Sequence, residues 1–491
     1  MEKFIKNILS NKNYNLVSLV EYLLIQDRWC NIYEISQHLN CSERNVRRYI
    51  DELSCILERK KDDSIILKRN QRVKLELSSD FNIRSVTNII FKEDYSVKLL
   101  ETILLQKYKN INILSQKENM SENNIKYMIK NINIYLKTYD IEINSSKLTF
   151  KGKESSIRIF FYIFIWYLYK DHRFISSEIF LYNELKISIN TLCLDLHLNL
   201  NYIKQKELVF MLFVSITRYN NKCHFNDYEI LKKYLIPYEY CTFYDKFIEL
   251  YSRHKISNDM EVSFFYLIFI LRKYFDWNSI QNKMVYDLNK LRNTAAYLAT
   301  ENLMITLSQE HVLSTKIERQ FKIELLFLHI YCDIFKNVDF YFNEDNTYIE
   351  FSDIYVRYNS YISKLLSELY ESTKLPLFLE TKILRNKYFY ILSQLIGCFY
   401  FEKKILITIM TDLPRNQHRI LEDIIYDKLK ILYNIEIIEL DTFNDYEVDI
   451  IITNIINEEI NDIPSVSINV PLQKNDLNKI ESVVRQINFE A

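Results

Sequence analysis

The sequence predicts a multidomain, mainly α-helical chain: tandem winged helix-turn-helix units, then two all-helical domains, then a small C-terminal α/β domain. Three observations predict it. Residues 31–57 recur recognisably at residues 110–136. Apolar residues at helical spacing run from about Glu154 to Tyr400. Beyond Tyr400 the period changes, and β-branched runs alternate with amphipathic stretches. With 491 residues, 48% of them hydrophobic, the chain can build several packed cores. The predicted divisions are 1–80, 81–153, 154–278, 279–400 and 401–491.

The repeat comes first. Asn31/Asn110, Ile32/Ile111, Ser36/Ser115, Gln37/Gln116, Asn40/Asn119, Ser42/Ser121, Glu43/Glu122, Asn45/Asn124, Ile50/Ile129 and Leu57/Leu136 are identical pairs. Each copy reads as a short helix, a turn and a longer amphipathic helix, the unit that lays a recognition helix in a DNA groove. Upstream, Val20-Glu21-Tyr22-Leu23 resembles Leu100-Glu101-Thr102-Ile103, which makes each copy trihelical. Ser42 and Ser121 open the long helices, where a hydroxyl can cap free N–H groups. Val46, Ile50, Leu53 and Leu57 form one apolar stripe; Ile125, Ile129, Ile132 and Leu136 form its counterpart.

Opposite the stripes lie the candidate DNA contacts. The first copy offers Ser42, Arg44, Asn45, Arg47 and Arg48, and arginine suits guanine edges and phosphates. The second offers Asn123, Asn124, Lys126, Tyr127 and Lys130, a set better suited to adenine and to the backbone. Period-two apolar runs follow each long helix: Ile65, Leu67, then Val73, Leu75 and Leu77 across Arg69-Asn70-Gln71; and Ile141, Ile143, then Leu148 and Phe150 across Asn144-Ser145-Ser146. These predict hairpin wings. Arg59, Lys60, Lys61, Arg69 and Arg72 are the first wing's candidate phosphate contacts, with Asp62 and Asp63 interrupting the cluster.

Charge supports this division of labour. Residues 1–155 hold 26 Lys and Arg against 20 Asp and Glu; the remainder holds 37 against 44. A basic head on an acidic body fits a binding module joined to a regulatory one. Only Gly152 and Gly397 are present, so neither a Walker A loop nor a dinucleotide glycine fingerprint can be built. The eight cysteines form no C-x-x-C pair and no zinc-spaced cluster. No metal, cofactor or catalytic constellation is expected. No signal peptide is visible, and the apolar run Ile159–Tyr169 is too short to cross a bilayer. It reads as a buried helix in a cytoplasmic protein with free thiols.

The body is expected to contain helices at Ser156–Lys170, Gln205–Tyr219, Glu261–Tyr274, Lys283–Thr306, Lys316–Phe335, Asp353–Tyr370 and Lys382–Tyr400. The last 90 residues are expected to hold strands at Ile405–Ile409, Ile435–Leu440, Val448–Ile452 and Val466–Val470, with helices near 416–431 and 473–488.

This order, together with the joint Leu148-Thr149-Phe150-Lys151-Gly152-Lys153-Glu154-Ser155-Ser156-Ile157-Arg158, resembles the Mga/AtxA-type transcription regulators of Gram-positive bacteria over essentially the full chain. The resemblance implies that the helical domains are PRD-like, that the last domain is EIIB-like, and that the tandem units bind double-stranded promoter DNA. It implies a virulence regulator, read here as an activator and not an enzyme, and a homodimer. It further implies phosphorylation of PRD histidines by a phosphotransferase-system phosphocarrier protein. His172 and His197 are the candidates by polarity and position; His329, between Leu328 and Ile330, reads as core, and His418 as an ordinary surface residue. A catalytic EIIB domain carries a cysteine after its first strand. Here that loop is Met410-Thr411-Asp412-Leu413-Pro414-Arg415-Asn416, which predicts a scaffold or dimerisation element. Alternative readings are a PRD-containing RNA-binding antiterminator and an interaction adaptor without DNA binding.

Overall fold

The repeat is built at its helix ends. A computed structural model describes all residues except 1, 27, 61–63, 79–80, 171–173, 176–177, 235–243, 276–278, 311–314, 336–353, 439–447, 456–462 and 491. In it the first copy comprises helices Asn11–Gln26, Ile32–His38 and Glu43–Lys60; the second comprises Tyr95–Leu104, Ile111–Lys117 and Glu122–Leu136. Asn31 and Asn110 cap the middle helices through their side-chain oxygens, on Tyr33 N at 3.0 Å and Ile113 N at 3.1 Å. Asn40 and Asn119 take the left-handed turn, with φ of 47° and 50°. Asparagine tolerates that conformation better than other side chains. Ser42 and Ser121 cap the long helices on Asn45 N and Asn124 N, each at 3.3 Å. Both apolar stripes are buried.

Both wings form. The first pairs Ile65–Arg69 with Arg72–Glu76, and Cys30–Asn31 adds a short third strand beside the latter. The expected apolar alternation holds only on its inner strand: Val73 and Leu75 are buried, whereas Ile65 and Leu77 are exposed. The second wing pairs Glu142–Asn144 with Thr149–Lys151. Gly152 follows at φ +130°, where an added Cβ would stand 2.7 Å from the Asp140 carbonyl oxygen.

The described residues divide into two compact units, one of Met1–Leu288 with Ile334–Phe340, the other of Asn289–Asp333 with Tyr341–Ala491. The first holds the tandem repeat and a helical body. The helix Glu154–Tyr169 carries the long apolar run and is buried almost all round. Tyr202–Asn220 packs on it, and Asp259–Leu271 meets it through Arg158 and Glu261; Ile179–Asp195 packs on Tyr202–Asn220, and Tyr244–Arg253 packs on Ile179–Asp195 and Asp259–Leu271. Ile179–Asp195, Tyr228–Tyr234 and Tyr244–Arg253 are helices that the periodicity did not mark.

In the second unit the expected helix Lys283–Thr306 is instead two, Ile280–Leu291 and Ala295–Glu310, the former straddling the division. Asn293 is left-handed, with φ 48°, and the Thr294 hydroxyl donates to Asn289 Oδ1 at 2.8 Å. Thr315–Ile334, Val356–Thr373 and Thr381–Ile396 complete the helical part. The terminal sheet is parallel, in the order Ile435–Ile437, Ile405–Met410, Ile450–Thr453, Ser465–Ser467, with helices Arg415–Leu429 and Lys474–Glu490. Asn488, on the last helix, donates to the Ile354 carbonyl at 2.6 Å, and Glu402 accepts from Tyr358 N at 2.9 Å. The sheet domain and the helices before it therefore share buried polar contacts. Among the described residues no helix is long and apolar enough to cross a membrane.

Candidate nucleic-acid interface

In the first reader, Arg44, Arg47 and Arg48 are all exposed on the face opposite the buried stripe. Arg47 pairs with Glu43 one turn back at 3.6 Å, and the Arg48 guanidinium lies 5.5 Å from the Tyr49 ring centroid. Asn45 is half-buried, and its backbone N–H is spent on the Ser42 cap. A polar cluster ties the first and middle helices of this unit together. Tyr22 donates to Glu34 at 2.8 Å, and Arg28 pairs with the same carboxylate. Hydrogen bonds from Arg28 and Tyr22 hold the Glu34 pKa down to about 2. Burial, with the Glu34 carboxylate beside it, pushes the Tyr22 hydroxyl up to about 12.

The wing presents Arg69 and Arg72 as a cross-strand pair flanking the Asn70–Gln71 turn, both exposed. Lys68 reaches across to Asp51 of the recognition helix at 2.6 Å and ties wing to reader. Arg59, at the end of that helix, pairs with Glu93 at 2.9 Å. Lys60 is the helix's last residue, and Lys61 lies outside the described residues.

The second reader repeats the arrangement with weaker charge. Asn123, Asn124, Lys126, Tyr127 and Lys130 are exposed. Lys126 pairs with Glu122 at 3.3 Å, the counterpart of Arg47 with Glu43. Asn133, unremarked in the sequence, clamps the wing to this helix: its amide donates to the Ile143 carbonyl at 2.9 Å and accepts from Ile143 N at 2.8 Å.

A buried carboxylate joins the readers. Asp94 is 1% exposed. One oxygen caps Ser96 N at 2.8 Å; the other accepts from Ser10 N, Ser10 Oγ and Asn13 Nδ2 at 3.0, 2.8 and 2.9 Å. One side chain thus holds the first helix of each copy. Phe4 packs on Tyr139 and Phe160, and Tyr169 donates to Glu101, so the readers are also seated on the helical body. The Ser96 cap is local, but Ser10 and Asn13 lie 84 and 81 positions away, so no local sequence signal marks the joint.

The histidines separate by environment. His197 is exposed and takes the left-handed position, φ 51°, after the helix Ile179–Asp195. His172 and His311 lie outside the described residues. His254 is buried against Ser188 at 3.1 Å, and burial lowers its pKa. His329 is fully buried. His418, expected on the surface, is partly buried and pinned: Thr411 Oγ1 is 2.8 Å from Nδ1, and Glu422 is 3.1 Å from Nε2. The cysteine-free loop is closed by Asn454 donating to Asp412 at 2.6 Å.

Comparison with known proteins agrees with this geometry. Residues 79–165 match the Mga helix-turn-helix domain, which covers the second reader, its wing and the start of the following helix. The capsule synthesis positive regulators AcpA and AcpB of Bacillus anthracis are 22% identical over 145 residues and 21% identical over 207 residues. The anthrax toxin expression trans-acting positive regulator of the same organism is 22% identical over 152 residues. These stretches span 30%, 41% and 31% of the relatives' lengths, and the same shares of this chain. A tandem repeat that folds as two winged units is thus similar, over the second, to the Mga helix-turn-helix domain and to positive regulators of this kind.

Proposed function

We propose that the chain is a DNA-binding transcription activator that grips promoter duplex with both readers. One observation carries this reading: two exposed recognition faces are held at fixed spacing in a single unit by Asp94. Fixed spacing turns the second contact into an intramolecular event. The names of the relatives supply the positive sign of regulation. Arg44 and Arg48 read bases from the first helix; Lys126 and Lys130 clamp phosphates from the second.

Gel-shift titrations against promoter fragments test the reading. Arg44→Ala with Arg48→Ala should lower specific affinity at least about tenfold, since a bidentate base contact is worth about 1–3 kcal/mol. Lys126→Ala with Lys130→Ala should weaken all sequences alike and flatten the salt dependence by nearly one unit of log–log slope per lost phosphate contact, about 0.9. Unchanged binding in the arginine pair removes the first helix as principal reader.

The five-part division, with PRD-like helical domains and an EIIB-like end, belongs to the same proposal. Binding is tuned by homodimerisation and by phosphorylation of His172 or His197 by a phosphotransferase-system phosphocarrier protein. His197 supports this by its exposure. The terminal domain supplies a self-association face: Ile420, Ile424 and Ile431 are 60%, 45% and 67% exposed on and just beyond one helix. Truncation near residue 402 would strip Asn488 from Ile354, so substitution is the cleaner test. Ile420→Glu with Ile424→Glu should weaken self-association at least about tenfold, about 1.4 kcal/mol, in analytical ultracentrifugation. An unchanged dimer constant would move the contact elsewhere.

A further inference from the structure

The two copies of the trihelical unit differ in how they fill the space beneath the recognition helix. In the first copy that space is packed. Tyr22 and Tyr49 are 8% and 4% exposed, and the Tyr22 ring lies 4.4 Å from the His38 ring. Leu39 closes the side. At the equivalent positions the second copy has Thr102, Met128 and Glu118. The larger residue gained there, Tyr95 in place of Asn15, is turned outward and 62% exposed. Two rings are thus missing, with the smaller Thr102 and the unbranched Met128 in their places. What remains is a cavity of about 300 Å³ floored by Leu99, Leu114, Ile125 and Met128. That volume is at the lower end of the range for small-molecule sites, about 300–1,000 Å³. A packed alternative exists in the same chain, so the opening is a departure from a solution the fold already has. An unfilled apolar hole would cost stability without return.

The rim sets the chemistry. Glu101 is occupied by the Tyr169 hydroxyl and by Lys107 at 4.0 Å; Glu118 accepts from the Tyr108 hydroxyl at 3.3 Å. Lys98 is the rim charge with no acid partner among the described residues; its ammonium lies 5.7 Å from the Tyr95 ring centroid. We propose that the second helix-turn-helix unit holds a binding site for a small carboxylate with an apolar body, seated against Met128 and Ile125 with its charge at Lys98. Met128 and Ile125 belong to the recognition helix, and Glu101 in the wall is tied to Tyr169 of the helical body. Occupancy would therefore set the pose of the second reader. That consequence rests on the DNA-binding reading; the site itself does not.

The test is methyl NMR of the full chain labelled at its methionine methyls, with the Met120 and Met128 signals identified by Met→Leu substitution. The probes are 3-phenylpropionate and decanoate, each beside its neutral alcohol. Both acids should shift both signals saturably, with dissociation constants of about 1 mM or tighter. Lys98→Ala, on the surface, should weaken the acids about tenfold and leave the alcohols unchanged. Thr102→Tyr with Met128→Tyr, which restores the first copy's packing, should abolish the shift at Met120. Signals that stay still with both acids, or alcohols that bind as well as the acids, would overturn the proposal. So would acid binding that survives Lys98→Ala undiminished. No DNA is present, so failure here is separate from failure of the promoter titrations.

Discussion

Glu261→Ala is expected to lower the stability of the first helical body by about 3–5 kcal/mol, the usual cost of stripping one partner from a buried ion pair. Glu261 and Arg158 are 0% and 1% exposed. Arg158 donates to both Glu261 oxygens, at 2.5 and 2.9 Å, to Glu154 at 2.9 Å and to the Cys223 carbonyl at 2.9 Å. Glu154 in turn accepts two bonds from Arg218, at 2.9 and 2.7 Å, and Glu261 accepts from Phe225 N at 2.9 Å. Burial works against the Arg158 cation, but the hydrogen bonds and charge of Glu261, with Glu154 adding to them, raise its pKa above the ordinary value. Removing Glu261 leaves that cation buried with half its partners. Thermal unfolding should show a drop on the order of 10 °C, and hydrogen exchange should rise in Glu154–Tyr169 and Asp259–Leu271. Arg158→Met with Glu261→Met should recover much of the loss, because an apolar pair of similar volume escapes the desolvation cost. A loss under about 1 kcal/mol would show that Glu261 does not hold the network. The position matters for function, because Glu154–Tyr169 also carries Phe160 and Tyr169, which seat the readers.

What was legible in the sequence is what local chemistry writes. The reader helices, their serine caps and the wings were found because caps, stripes and alternation are set within a few residues. Several identical pairs of the repeat turn out to be boundary residues: Asn31/Asn110, Asn40/Asn119 and Ser42/Ser121. The repeat thus preserves the shape of the unit while its outer face varies. The break at Asn293 was missed because neither glycine nor proline marks it. The strand Cys30–Asn31 is too short to show a period. Distance hid the rest. Lys68–Asp51, Arg59–Glu93 and the Asp94 joint exist only once the chain is folded, and Arg158 meets Glu261 from 103 positions away. The cavity was hidden differently: it is written as two tyrosines absent from one copy, and their absence has meaning only once the first copy shows where they pack.

His329 should make the second unit acid-sensitive. Its ring is 0% exposed, with Nδ1 2.8 Å from Thr300 Oγ1 and Nε2 2.6 Å from the Tyr388 hydroxyl. The Thr300 hydroxyl donates its hydrogen to the Ala296 carbonyl at 2.8 Å, so Thr300 accepts from Nδ1–H and Nε2 accepts from Tyr388. Both nitrogens are occupied and neither reaches solvent, in contrast to the exposed His197. Burial pushes the His329 pKa down to about 3, whereas an unfolded histidine titrates near 6.5. The unfolded chain therefore takes up this proton first. The stabilisation is whole above about pH 6.5 and is lost as the pH falls toward 3, by an amount on the order of 5 kcal/mol. Carboxylates titrate over part of the same range, so the contrast is with His329→Leu. Urea unfolding of the second unit, followed by hydrogen exchange in Ala295–Glu310 and Thr381–Ile396, should show the native chain losing stability faster than the variant between about pH 6.5 and 4. Parallel pH curves would mean that His329 takes up its proton as readily in the fold as in the unfolded chain, and that burial does not shield its ring.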